Sequence, residues 1–234
     1  MYRGYYWWDQ TYILIIIGFL ICSGASARFH STVRRYSAVY PYCGMTGAQV
    51  AQKILSHAGI YDVQIGRVRG SWSDHYNSGT KMLNLSDTVY GSTSLAAVCV
   101  AAHECGHAIQ DNRNYVPLRI RHILHPIASF GSQLSWPLFF IGLIMSMEPL
   151  IQLGILLFSA AVLLQLVTLP VETNASRRAL AVLRETRVLD ETELRGGRKV
   201  LKAAALTYLA ALAQSILQLV RLLALAGGRR RRDD

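Results

Sequence analysis

Charge is the scarcest ingredient of this chain: 16% of its 234 residues are charged, against 52% hydrophobic. Soluble domains carry about a quarter charged residues, so an ordinary water-soluble globule is disfavoured and a membrane protein is the first expectation. Intrinsic disorder is excluded by the same apolar excess. Cysteine is limited to Cys22, Cys43, Cys99 and Cys105, with no CxxC pair. That excludes a disulfide framework and suits a reducing compartment for the polar part. Acidic residues are also few, 14 against 24 Lys and Arg, leaving a net charge of +10. A basic excess can serve nucleic acid or an anionic bilayer surface. Few aromatics interleave the basic residues and no nucleic-acid motif is present, so the bilayer is the expected partner and nucleic acid is not. No internal repeat of useful period occurs.

Long apolar runs are what the chain has instead. Residues 10–27 are uncharged and include Ile13-Leu14-Ile15-Ile16-Ile17. About 18 helical residues reach roughly 27 Å, just enough to cross a hydrocarbon core. Tyr5, Tyr6, Trp7 and Trp8 precede the run, where an interfacial aromatic belt would lie. Ala25-Ser26-Ala27 mimics a signal-peptidase site, but Arg3 is balanced by Asp9 and the basic n-region is weak. Arg28, Arg34 and Arg35 follow directly, so a retained anchor, transmembrane helix 1, is the favoured reading.

Residues 28–126 hold much of the polar sequence and read as a soluble α+β domain. Within it, Thr46–Gly59 has an apolar face of Val50, Ile54 and Leu55 and predicts a helix. Asp62–Val68 alternates like a strand, Trp72–Asn77 reads as a polar loop, and Lys81–Leu85 as a second strand. That second strand is either an edge able to pair with an extended peptide or an internal strand. Ser92–Gln110 predicts a helix capped by Ser92, Thr93 or Ser94 and apolar nearly all round in its first half, hence buried. Residues 127–147 and 150–170 predict a transmembrane hairpin (127–170) turning at Glu148-Pro149. Residues 171–202 are charged and helix-prone, with Gly196-Gly197 as a break; 203–226 are apolar again, and 227–234 form a basic tail with Arg229–Arg232. The basic residues after the first run and across 177–202 place both polar segments in the cytoplasm. Four full spans would then carry the arginine tail outside, and Arg221 interrupts the last run. Segment 203–226 is therefore expected to pack on the soluble domain or lie in the interface rather than cross simply.

The buried helix contains Ala102-His103-Glu104-Cys105-Gly106-His107, an HExxH pattern. Residues four apart share one helix face, so two imidazoles can reach one zinc ion, with Glu104 beside it as general base. Seven histidines in this chain make a chance match roughly half a percent. The plainer alternative is a pair of histidines hydrogen-bonded in a polar core, but an unpaired Glu in so apolar a helix would be costly. Cys105, rotated off that face, reads as packing. A catalytic zinc needs a third protein ligand. His122, His125, Glu148, Glu172, Glu185 and Asp190 are the downstream candidates, and Arg113 stands where an HExxHxxGxxH pattern needs its last His. Glu172 leads, because a hairpin that crosses the bilayer and returns brings it back beside the HExxH helix.

Gly44-Met45-Thr46-Gly47-Ala48, Asp74-His75-Tyr76, Ala101–Gln110, Leu169–Leu180 and Ala203–Tyr208 together resemble the YugP-like family of bacterial membrane neutral zinc metallopeptidases. The layout is also similar to the HtpX-like membrane peptidases. The resemblance implies a zincin-like domain around helix 92–110 and one Zn²⁺ in a gluzincin-type site. His103, His107 and Glu172 would be the ligands and Glu104 the base, with 171–202 as the third-ligand segment. Ser176 stands where HtpX-like enzymes have Asp, so Asn174 or Ser176 is expected to support a ligand histidine. His75, Tyr76, Arg177 and Arg178 are candidate oxyanion or substrate contacts. The expected protein is a mostly α, multi-pass enzyme of the bacterial inner membrane with a cytoplasmic catalytic domain. It would hydrolyse peptide or membrane-protein substrates, with a membrane adaptor or homo-oligomer as further partners. The alternative is a non-enzymatic membrane scaffold that keeps a structural zinc.

Overall fold

The computed structural model describes residues 11–233, and side chains as far as residue 227. The aromatic belt expected at Tyr5–Trp8 and the side chains of Arg229–Arg232 lie outside the described residues. The chain is mostly helical: α1 (Tyr12–Ser37), α2 (Gly47–His57), β1 (Gln64–Val68), β2 (His75–Asn77), β3 (Met82–Ser86), α3 (Asp87–Tyr90), α4 (Leu95–Asn112), α5 (Val116–Met145), α6 (Glu148–Glu185) and α7 (Glu191–Asp233). Helices α1, α5, α6 and α7 are long and apolar enough to cross a membrane. Two compact units are present among the described residues, one of residues 11–25, 121–167 and 208–233, the other of residues 26–120 and 168–207.

The second unit is built on α4. Ser94 caps it by accepting from the Ala97 amide at 3.2 Å. From Leu95 to Gln110 nearly every residue is buried, as a helix apolar nearly all round in its first half requires. Helix α2 packs through Val50, Ala51, Ile54 and Leu55, and begins in a capping box formed by Thr46 and Gln49. The sheet order is β1-β3-β2, with β1 parallel and β2 antiparallel to β3. Strand β3, with Leu83 and Leu85 fully buried, is thus internal, and the suggestion that it offers a free edge is corrected. The loop expected at Trp72–Asn77 contains β2. The Asn77 side chain accepts from the amides of Gly79 and Thr80 and turns the chain back into β3. Asp87, at the start of α3, is held below the usual carboxylate range by the Arg67 guanidinium at 2.7 Å and by the Gly70 amide.

The expected break at Gly196-Gly197 is also corrected, because α7 runs through both residues. A Cβ at Gly196 would stand 2.8 Å from the Leu95 side chain, and one at Gly197 2.7 Å from Cys99 Sγ. The glycines permit close packing on α4. The chain breaks instead at 186–190, where Arg187 takes φ 52°. Asp190 then caps α7, accepting from the Glu193 amide at 2.7 Å.

The first unit has its own core of Phe139, Ile151, Phe158, Val162 and Leu222. Pro126 and Pro137 lie inside α5 without ending it, as membrane helices allow. Large apolar side chains face outward, among them Phe19, Phe130, Ile144 and Leu156. So much exposed hydrocarbon fits a bilayer, not water. Arg221 is buried; its Nε donates to Thr11 Oγ1 at 3.2 Å, and its guanidinium lies 4.8 Å from the Tyr12 ring and 5.9 Å from the Trp136 ring. The charge that argued against a simple span is satisfied within the bundle. Gln165, Gln214, Gln218 and Ser132 line a cavity of about 510 Å³ in this unit, which keeps their polar ends off the lipid-facing surface.

Candidate metal centre

On α4, His103 and His107 sit one turn apart, their rings edge-to-face at 4.8 Å between centroids. On α6, Glu172 is buried and turned toward both: its Oε2 lies 3.1 Å from His103 Nε2 and 3.5 Å from His107 Nε2. Ligands bound about 2.0–2.2 Å from one tetrahedral ion stand roughly 3.3 Å apart, so these separations suit a shared zinc. Among the described residues, this is the only group of three or more His, Cys, Asp or Glu side chains close enough to share an ion.

Gly106 explains how α6 comes so near. A Cβ there would stand 2.5 Å from the Ala175 carbonyl oxygen, so α4 and α6 meet backbone to backbone between the two histidines. Ala175, fully buried, keeps the α6 side of that contact equally small. Glu172, Ala175 and Ser176 are spaced i, i+3, i+4 and therefore share the face turned to α4.

The outer nitrogens of both rings are engaged. Ser176 Oγ lies 3.2 Å from His103 Nδ1, and Gln110 Oε1 lies 3.0 Å from His107 Nδ1. Gln110 Nε2 donates to the Val171 carbonyl at 2.8 Å and to Asn174 Oδ1 at 3.0 Å, which turns its oxygen toward His107. Arg178 Nε donates to the same Asn174 oxygen at 2.7 Å. In the tautomer whose Nδ1–H donates outward on each ring, both Nε2 atoms would be available to an ion shared with Glu172. Gln110 had no role in the sequence reading. Its only signal was a fully polar residue one turn beyond His107 in an otherwise apolar helix.

Glu104 is buried, at 8% exposure, and forms no hydrogen bond or ion pair among the described residues. Its neighbour Cys105 is fully buried, and burial with the Glu104 charge beside it raises the thiol above its ordinary value. Burial alone pushes Cys99 up to about 12. Both are inert packing thiols.

None of the remaining candidate contacts is among the three grouped ligands. His75 pairs with the Ser73 carbonyl and with Asn84 on β3. Tyr76 donates to Asp111 at 2.8 Å, and burial together with that carboxylate raises its hydroxyl above the usual range. Lys81 reaches the same Asp111 oxygen at 2.6 Å, so Tyr76 and Lys81 tie the sheet to the end of α4. Arg177 lines a groove beside α7, and Arg178 is engaged with Asn174 and with the Tyr115 ring. Of the other downstream candidates, Glu148 pairs with Gln152, Glu185 with His57, and Asp190 serves as the α7 cap. His122 and His125 lie on α5 within the first unit.

A largely helical membrane protein with a buried His-His-Glu cluster is the class that fold and site define. Residues 11–227 match the family described as “Putative neutral zinc metallopeptidase”. A curated relative, “Putative membrane protease YugP” of Bacillus subtilis (strain 168), is 43% identical over 197 residues, covering 84% of this chain and 88% of the relative. The chain belongs to this zinc metallopeptidase family. No solved structure matches it.

Proposed function

We propose that this protein is an integral-membrane zinc endopeptidase of the gluzincin type. His103 and His107 on α4 and Glu172 on α6 would hold a single zinc ion, leaving a fourth position open as a catalytic zinc requires. Zinc bound there supplies Lewis-acid activation of a water and of the scissile carbonyl. Glu104 accepts the proton of the attacking water on its carboxylate and passes it to the departing amine. Ser176 and Gln110 keep the two imidazoles in the tautomer that presents Nε2.

The observation that carries this reading is Glu104, a largely buried carboxylate that makes no hydrogen bond or ion pair among the described residues and directly follows His103, one of three converging ligand groups. A purely structural zinc wants four protein ligands and gives an unpaired carboxylate nothing to do. The name of the Bacillus subtilis relative points the same way. Arg28, Arg34 and Arg35 after the first span favour a catalytic unit facing the cytoplasm from the inner membrane. Peptides or membrane proteins would be the substrates, with a homo-oligomer or a membrane adaptor as the further partners.

The test is metal analysis with proteolysis of casein and a peptide library by the full-length protein in detergent. The expected result is one zinc per chain and cleavage abolished by a chelator and restored by zinc. Glu104→Gln should keep the zinc and lose at least about a hundredfold in rate. Stoichiometric zinc without chelator-sensitive cleavage of any peptide would favour the scaffold with a structural metal.

A further inference from the structure

A second feature of the polar unit lies outside the metal cluster. Between α6 and α7 runs a groove of about 530 Å³. Its floor is apolar, formed by Leu180, Leu194, Leu201 and Ala205, and its rim is cationic, formed by Arg177, Arg184, Arg198 and Lys202. No acidic residue lines it. Arg184 is neutralised by Glu191 through bonds of 2.7 and 3.0 Å. Arg177, Arg198 and Lys202 are exposed and form no ion pair or hydrogen bond among the described residues.

The place of these cations along the chain is informative. In α6, Arg177 follows the apolar run 150–170; in α7, Arg198 and Lys202 directly precede the apolar run 203–226. Both walls are therefore the juxtamembrane turns of helices apolar enough to cross a bilayer. An acidic peptide would match the rim but not the continuous leucine floor. An anionic phospholipid matches both, with a phosphodiester for the cations and hydrocarbon for the leucines, and the volume is in the range of small-ligand sites.

We propose that the α6–α7 groove binds an anionic phospholipid, its phosphate held by Arg177, Arg198 and Lys202 and its glycerol and first methylenes laid on Leu180, Leu194 and Leu201. Ser176, which also lines the groove, is the hydroxyl paired with His103, so the lipid would lie against the support of a candidate metal ligand. Binding here does not require hydrolysis, and its test reads none.

Native mass spectrometry of the full chain in detergent, titrated with phosphatidylglycerol or phosphatidylcholine, tests this. Each juxtamembrane cation is worth about fivefold in affinity. The wild type should retain phosphatidylglycerol preferentially, and Arg198→Gln/Lys202→Gln should lower that retention about twenty-fivefold. Lys199→Gln, on the same helix but not lining the groove, is the control for general charge loss and should retain the lipid. Unchanged retention in the double variant, or equal loss in Lys199→Gln, would overturn the site. Displacement of the lipid by glycerol phosphate or poly-glutamate at equal concentration would also overturn it, since either result assigns the groove to a free anion or an acidic chain.

Discussion

The two units treat their buried polar groups in opposite ways. In the apolar bundle, Arg221 is matched by Thr11, Tyr12 and Trp136, and Cys22 donates to Gln214 at 2.7 Å. Each of these two groups is met by near neighbours, and among the described residues neither belongs to a cluster of side chains close enough to share an ion. In the polar unit, two histidines and a glutamate aim their donor atoms at one another, and Glu104 is left without a partner beside them. Satisfied polar groups in a lipid-facing bundle serve packing; ligand side chains that converge on one point, beside a carboxylate with no ion pair, are the arrangement expected of a chemical site.

The sharpest way to break this contrast is at Gly106. Gly106→Ala forces a Cβ against the Ala175 carbonyl and should push α6 away. Overpacking of this kind costs about 1–3 kcal/mol. Calorimetric zinc titration should also show affinity falling by at least about tenfold, since Glu172 moves with α6. Gly24→Ala, in α1 with nothing within 4 Å of the added methyl, should leave zinc affinity unchanged. A smaller effect is expected from Gln110→Ala, which strips the acceptor from His107 Nδ1. Loss of such supporting bonds typically lowers metal affinity or activity about 10–100-fold, read by competition with a zinc chelator. Smallest is Arg221→Leu, which removes the cation held over Tyr12 and Trp136. A loss of at most about 2 kcal/mol in thermal unfolding is expected, with zinc content unaltered. A fall in zinc content there would show that the two polar arrangements are not independent.

Much of the site was legible in sequence because its parts are local. The i, i+4 spacing of His103 and His107 is a property of any helix, and the length of the apolar runs 127–147 and 150–170 argued that Glu172 returns to the same side. What escaped was set by partners distant in sequence. Gln110 takes its orientation from the Val171 carbonyl and Asn174, which arrive on α6 more than sixty residues later. Strand β2 is three residues long, too short for a two-residue period to register, and exists because β3 offers it a pairing edge. Gly196 and Gly197 carry the composition of a break, yet their missing side chains are filled by Leu95, Tyr36 and Cys99 from elsewhere in the chain. Either Asn174 or Ser176 was expected beside a ligand histidine; Ser176 Oγ lies against His103 Nδ1, while Asn174 accepts from Gln110.

X-ray absorption at the zinc edge of the metal-loaded, full-length protein examines the whole proposal at its root. Two imidazole nitrogens and one carboxylate oxygen from the chain are expected around the ion, with Glu172→Ala losing the oxygen and most of the bound zinc. An unchanged coordination shell and full zinc content in Glu172→Ala would contradict it.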